Sequence, residues 1–131
     1  DFYLALLTTA ALGIPADKNI SFDSQDNPVS VNNGFYDLCQ AKGCFTGPLG
    51  RAALAGTGMN LVVDGFGSDP NGMTGGGTTW LETTAPVVPG ETMTLELMVF
   101  DVSDSILDSL TLLDAFEWSI DPSGAGTGPA G

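Results

Sequence analysis

The sequence predicts an all-β, antiparallel fold with a short helical segment at its N-terminal end. Composition is the first reason. Gly 18 and Pro 8 accompany only 15% charged residues, a mixture of turn formers and apolar runs typical of sheet proteins rather than helix bundles. Alternation is the second, because residues 92–101, and 109–120 with the exception of Asp114, carry apolar side chains at every second position, the period of a strand. Punctuation is the third: Asn33-Gly34 and Pro89-Gly90 are tight-turn signals between such runs.

The elements follow along the chain. Residues 2–12 place apolar groups at Phe2, Leu4, Leu6, Leu7, Ala11 and Leu12. Their mixed period predicts a short helix that ends at Gly13 and Pro15. Residues 19–23 alternate and read as a strand, 23–28 as an Asx-rich turn, and 29–31 and 35–38 as short extended pieces. Residues 43–58 have little pattern, 59–64 read as a strand, and 65–78 as a long glycine-rich loop. Residues 79–84 read as a strand and 85–90 as a turn. Met93, Leu95, Leu97 and Val99 share one face of 92–101. Leu110, Leu112, Asp114, Phe116, Trp118 and Ile120 share one face of 109–120. These two long strands, joined by a short acidic connection, are expected to pair antiparallel. Pro, Ser and Gly dominate 121–131, which reads as a tail or linker, so a single domain is expected over 1–120.

Charge narrows the function classes. With 16 acidic against 3 basic residues, the net charge of -13 repels phosphate backbones and anionic membrane surfaces, so neither nucleic acid nor a membrane surface is an expected partner. No apolar run reaches the length of a membrane span, so direct membrane insertion is not expected. The first residues lack the basic region of a signal peptide, and the chain is expected to be a mature or excised domain. Cys39 and Cys44 frame a short loop. Two thiolates without any His make half a zinc site at most, and the spacing is too wide for a CxxC redox pair. A local disulfide is expected, worth at most about 2–3 kcal/mol; the alternative is two free, buried thiols.

The chemistry concentrates in residues 101–108, where Asp101, Asp104 and Asp108 fall close together. Carboxylates so near one another repel by about 1–4 kcal/mol per pair, depending on the local dielectric. No Lys or Arg follows Arg51 to neutralise them. A hard cation with oxygen ligands is the natural partner, and Ca2+ suits a shell of carboxylates and backbone carbonyls. The segment is not an EF-hand, lacking its central Gly and closing Glu. The alternative is a solvated loop whose Asp side chains cap turns. Asp114, on an otherwise apolar face, reads either as a fourth ligand or as a buried Asp bonded to backbone. Asp23, Asp26 and Asn27 read as a turn that satisfies its own backbone. Glu82, Glu91 and Glu96 read as solvent-facing.

Catalysis is hard to assemble. Without His there is no Ser-His-Asp, Cys-His or HExxH arrangement, and the glycines at 75–77 have no Lys for a phosphate loop. A glycosidase-like carboxylate pair is formally available, but no single Glu stands out. Trp80 and Trp118 read either as core packing or as sugar-stacking platforms. Asn19-Ile20-Ser21 is a formal N-glycosylation sequon.

Three stretches carry a resemblance. Ile14-Pro15-Ala16-Asp17-Lys18-Asn19-Ile20-Ser21-Phe22-Asp23, with Asn27-Pro28-Val29-Ser30-Val31-Asn32-Asn33-Gly34-Phe35, is the first. Thr79-Trp80-Leu81-Glu82-Thr83-Thr84-Ala85-Pro86-Val87-Val88-Pro89-Gly90-Glu91 is the second. Phe100-Asp101-Val102-Ser103-Asp104-Ser105-Ile106-Leu107-Asp108-Ser109, continuing through Leu112-Leu113-Asp114-Ala115-Phe116-Glu117-Trp118, is the third and most specific. Together they resemble the choice-of-anchor L domains of bacterial surface proteins of the myxobacterial kind. The resemblance implies an exported, extracellular or cell-surface domain with a jelly-roll-like β-sandwich fold. It does not imply an enzymatic activity, and with catalysis hard to assemble the chain is not expected to be an enzyme. Family members usually carry more sequence upstream of Asp1, which implies a processed form or a subunit that borrows a strand from a copy of itself, as strand-exchange polymers do. The function expected is a calcium-stabilised structural or adhesive surface module, partnered by itself or by other surface proteins or glycans. The alternative is a carbohydrate-binding module using Trp80, or Tyr3 or Tyr36, and an enzyme comes third.

Overall fold

The computed structural model describes residues 1–30, 35–40, 43–45, 73–102 and 109–131, with backbone alone at 36–40, 43–45 and 73–75. Among these residues there are strands and no helix, and the strand registers are antiparallel. The strands are β1 (Phe2–Thr8), β2 (Val29–Ser30), β3 (Tyr36–Gln40), β4 (Gly43–Phe45), β5 (Met73–Thr78), β6 (Leu81–Thr84), β7 (Thr94–Phe100) and β8 (Gly126–Pro129). The chain divides into two compact units, one of Asp1–Val29 with Glu82–Gly128, the other of Ser30–Leu81 with Pro129–Gly131.

The first unit is organised around β1. Its neighbours in the sheet are β2 and β7, in the order β2-β1-β7, with Phe2 opposite Phe100 and Thr8 opposite Thr94. The helix expected over 2–12 is therefore corrected to a strand. Leu4 and Leu6 are half-buried on one face of β1, and Ala5 and Leu7 are buried on the other. A strand covered on both faces has no polar side to alternate with, so its apolar run does not show period two. Ala5, Leu7 and Ile20 form the buried centre, with Tyr3, Ile14, Ala85, Val87, Met93, Leu95 and Ala125 packed around it. On the other face Phe2 stacks on Phe100 at a centroid distance of 5.6 Å, a cross-strand aromatic pair worth about 0.5–1.5 kcal/mol beyond its burial.

The expected strand at 19–23 contributes two isolated antiparallel bridges, Leu6 with Asn19 and Phe22 with Pro28. The strand expected over 92–101 is found as β7, and that over 79–84 as β6. Residues 109–120, expected to form a strand paired with β7, have no ladder in the structure. Ala115 stands at φ 54, in the left-handed region that L-residues enter at a cost of about 1–2 kcal/mol, and this breaks the extended run. Residues 121–131, read as a tail, contain β8, which pairs with β6. That pairing is reinforced by a 2.8 Å bond between the Thr83 and Thr127 hydroxyls and by Thr127 Oγ1 donating to Ile20 O at 3.1 Å.

In the second unit the β3–β4 hairpin joins β5 in the order β4-β3-β5. The glycine-rich loop expected over 65–78 thus ends in a strand, β5, with an irregularity in its β3 pairing between Leu38 and Gln40. Glycines weaken strands without forbidding them, and they often accompany such irregularities. The strand expected over 59–64 lies outside the described residues.

Candidate functional site

The residues expected to hold calcium divide between described and undescribed parts of the chain. Asp104 and Asp108 lie outside the described residues. Asp101 directly follows the last residue of β7 and is exposed. Asp114 is also exposed rather than buried, and its Oδ1 accepts a 2.7 Å hydrogen bond from the Ala115 amide. That bond supports the left-handed Ala115 and accounts for the polar residue on an apolar face. Among the described residues no three acidic side chains converge into a cation-binding group.

The polar side chains with the most defined geometry are elsewhere in the first unit. Asn19 is 4% exposed and lies under β1. Its Oδ1 accepts from the amides of Ala5 and Ser21, each at 3.1 Å, and its Nδ2 donates to Ser21 O at 3.0 Å. Backbone bonds flank it, with Leu7 N donating to Lys18 O and Ile20 N to Ala5 O, both at 2.9 Å. Asn19 thus closes the edge of β1 where a regular ladder is missing. The same burial removes it as a glycosylation acceptor in the folded chain. The sequence marked this residue as the start of a strand and as part of a sequon, not as a buried anchor; the signal available was an amide at the head of an alternating stretch.

Asp23 is buried and forms the expected Asx turn. Its Oδ1 accepts from the Gln25 amide at 2.8 Å and the Asn27 amide at 3.0 Å, and Asn27 Nδ2 lies 3.3 Å from each carboxylate oxygen. Asp26, at φ 62, completes the tight reversal, a conformation that Asp tolerates better than most residues. Glu91, expected to face solvent, ties the end of β1 to the turn before β7. Its carboxylate accepts from Ala10 N at 2.8 Å, Val88 N at 2.9 Å and the Thr9 hydroxyl. The Ala10 amide bond, then those of Thr9 and Val88, hold its pKa below the ordinary glutamate value. Burial raises the Tyr3 phenol above its usual value.

Trp80 is 58% exposed, so of the two readings for this residue core packing is set aside. Trp118 is likewise exposed. The β3–β4 register makes Cys39 and Cys44 direct Cα partners; their side chains, and that of Tyr36, lie outside the described residues. No helix among the described residues is long and apolar enough to cross a membrane. Compared with family models, curated proteins and solved structures, the chain matches none of them.

Proposed function

We propose that the chain is an exported structural or adhesive module of a cell surface, built on a β-sandwich and stabilised by calcium held in the 101–108 segment. The observation that carries the structural reading is the use made of the buried polar groups. Asn19 and Asp23 turn their side chains onto neighbouring backbone amides, the work of a scaffold. The antiparallel, strand-rich architecture supports a sandwich, and the likeness to choice-of-anchor L domains supports the surface location. Direct opposition of Cys39 and Cys44 fits a cross-strand disulfide of an exported protein, since antiparallel partners lie about 4.5–5.5 Å apart at Cα and disulfides span about that distance. The calcium reading rests on the charge of 101–108 and the lack of cations after Arg51.

Antibody labelling of intact cells that produce the chain tests the location. Labelling without permeabilisation is expected, and signal only after permeabilisation contradicts the proposal. The exposure of Trp80 favours a second reading, a carbohydrate-binding module. Glycan-array binding that is lost in Trp80→Ala would establish that reading in place of the structural one.

A further inference from the structure

Among the described residues of the first unit, 109–120 carry a concentration of exposed apolar side chains. Leu110, Leu112 and Leu113 are exposed, Phe116 is 65% and Trp118 is 68% exposed, and Ile120 is fully so. Phe116 and Trp118 meet edge-to-face at 5.3 Å. Phe116, Trp118 and Ile120 alternate with Glu117 and Ser119, an apolar and a polar side at the period of a strand lying on a sheet. The segment has the sequence of a strand and, among the described residues, no strand to pair with.

The same unit offers a matching acceptor. Among the described residues β7 has a neighbour on one side only, β1, and Leu97, Met98, Val99 and Phe100 are all exposed along it. Exposed apolar edges of this kind recruit further strands. We infer that residues 116–120 of one copy, beyond the left-handed Ala115, add as a strand beside β7 of a second copy, through Phe116, Trp118 and Ile120.

Two arguments select a second copy as the occupant. Donor and acceptor belong to one sequence and leave each other unpaired within the described residues, so the same pairing is open between copies, which is the principle of domain swapping. Area is the other argument. Covering Phe116, Trp118 and Ile120 and an equal area of acceptor removes about 1,100 Å² from water, just above the least that a specific interface needs. Charge opposes the association, because Glu96 on β7, Glu117 on the donor and Asp114 just before it carry the same sign. Added salt, which screens them, therefore strengthens it. This inference deepens the structural reading above and rests on it for its purpose, but not for its physics.

Sedimentation equilibrium of the full chain over a wide concentration range, at low and at moderate salt, tests it. The expected result is a mass that rises above the monomer with concentration and with salt. In Phe116→Asp/Trp118→Asp, whose sites are exposed and whose denaturation midpoint is therefore expected to be unchanged, association weakens by about a hundredfold or more. A chain that stays monomeric throughout, whether because 116–120 folds back on its own β7 or because it meets another protein, overturns the inference. So does association that the double substitution leaves intact. A monomeric chain that still labels on intact cells overturns the strand addition alone; association in solution by a chain absent from the cell surface overturns the surface role alone.

Discussion

Replacing Asn19 by Ala probes the fold at its most connected polar side chain. The substitution removes the acceptor for two backbone amides, Ala5 N and Ser21 N, and the donor to one carbonyl, Ser21 O. All three groups sit beneath β1 beside the buried Ala5 and Ser21, where water does not replace the lost partner without opening the structure. An unsatisfied buried group costs about 1–3 kcal/mol. Partial relaxation keeps the sum below three full penalties, and Asn19→Ala is expected to destabilise by about 3–5 kcal/mol. Asn19→Asp keeps the acceptor for both amides but sets a carboxylate oxygen against Ser21 O and buries an unpaired charge. Its cost at neutral pH is therefore expected to be no smaller, about 3–5 kcal/mol, and to fall when the carboxyl is protonated and donates to Ser21 O. Urea denaturation read by Trp fluorescence gives both values from the shift in midpoint at constant slope. A cost below about 1 kcal/mol for Asn19→Ala would refute the reasoning that this amide closes the edge of β1.

Three further outcomes bear on other parts of the structure. Glu91 has a folded-state pKa held below its unfolded value by the Ala10, Thr9 and Val88 donors. Its contribution is therefore present above the unfolded pKa and lost as pH falls through the folded one. Glu91→Gln is expected to flatten the acid side of the stability profile, and an unchanged slope below about pH 4.5 would contradict this. Asp23→Ala strands the Gln25 and Asn27 amides and is expected to cost about 2–3 kcal/mol, checked by the same denaturation experiment; a loss under half a kcal/mol would remove the turn from the stability account. Intact-mass measurement of the exported chain is expected to find it lighter by two hydrogens than the reduced chain, with Cys39 and Cys44 in one cross-linked peptide, whereas two alkylatable thiols would contradict the disulfide.

Much of the sheet was legible because the physics that forms it is local. β7 has an apolar residue at every second place, and Pro89-Gly90, with Gly90 at φ 83, announces the turn before it. β1 was obscured by its own centrality, since burial on both faces gives it an apolar run that a mixed period also describes. β8 was hidden by composition: Gly126-Thr127-Gly128-Pro129 looks like a linker, and it becomes a strand because Thr127 finds Thr83 and Ile20, partners far away in sequence. Residues 109–120 show the opposite failure. Their alternation is real, but alternation specifies a face and does not supply a neighbour, and the left-handed Ala115 interrupts the run. Of the polar side chains, the Asx turn at Asp23 was readable from residue types alone. Asn19 and Glu91 were not, because their roles depend on which distant amides the fold brings to them.

The surface module is proposed to be held by calcium at 101–108, and thermal unfolding with and without calcium tests this most directly. With free calcium at one hundred times its dissociation constant, binding to the folded state alone contributes about 2.7 kcal/mol. For a chain of this size that raises the melting midpoint by about 10 °C. The account predicts such a rise in the parent chain, its reversal by a chelator, and its absence in Asp104→Ala. A midpoint that ignores both calcium and chelator, in the parent chain as in the variant, would contradict it.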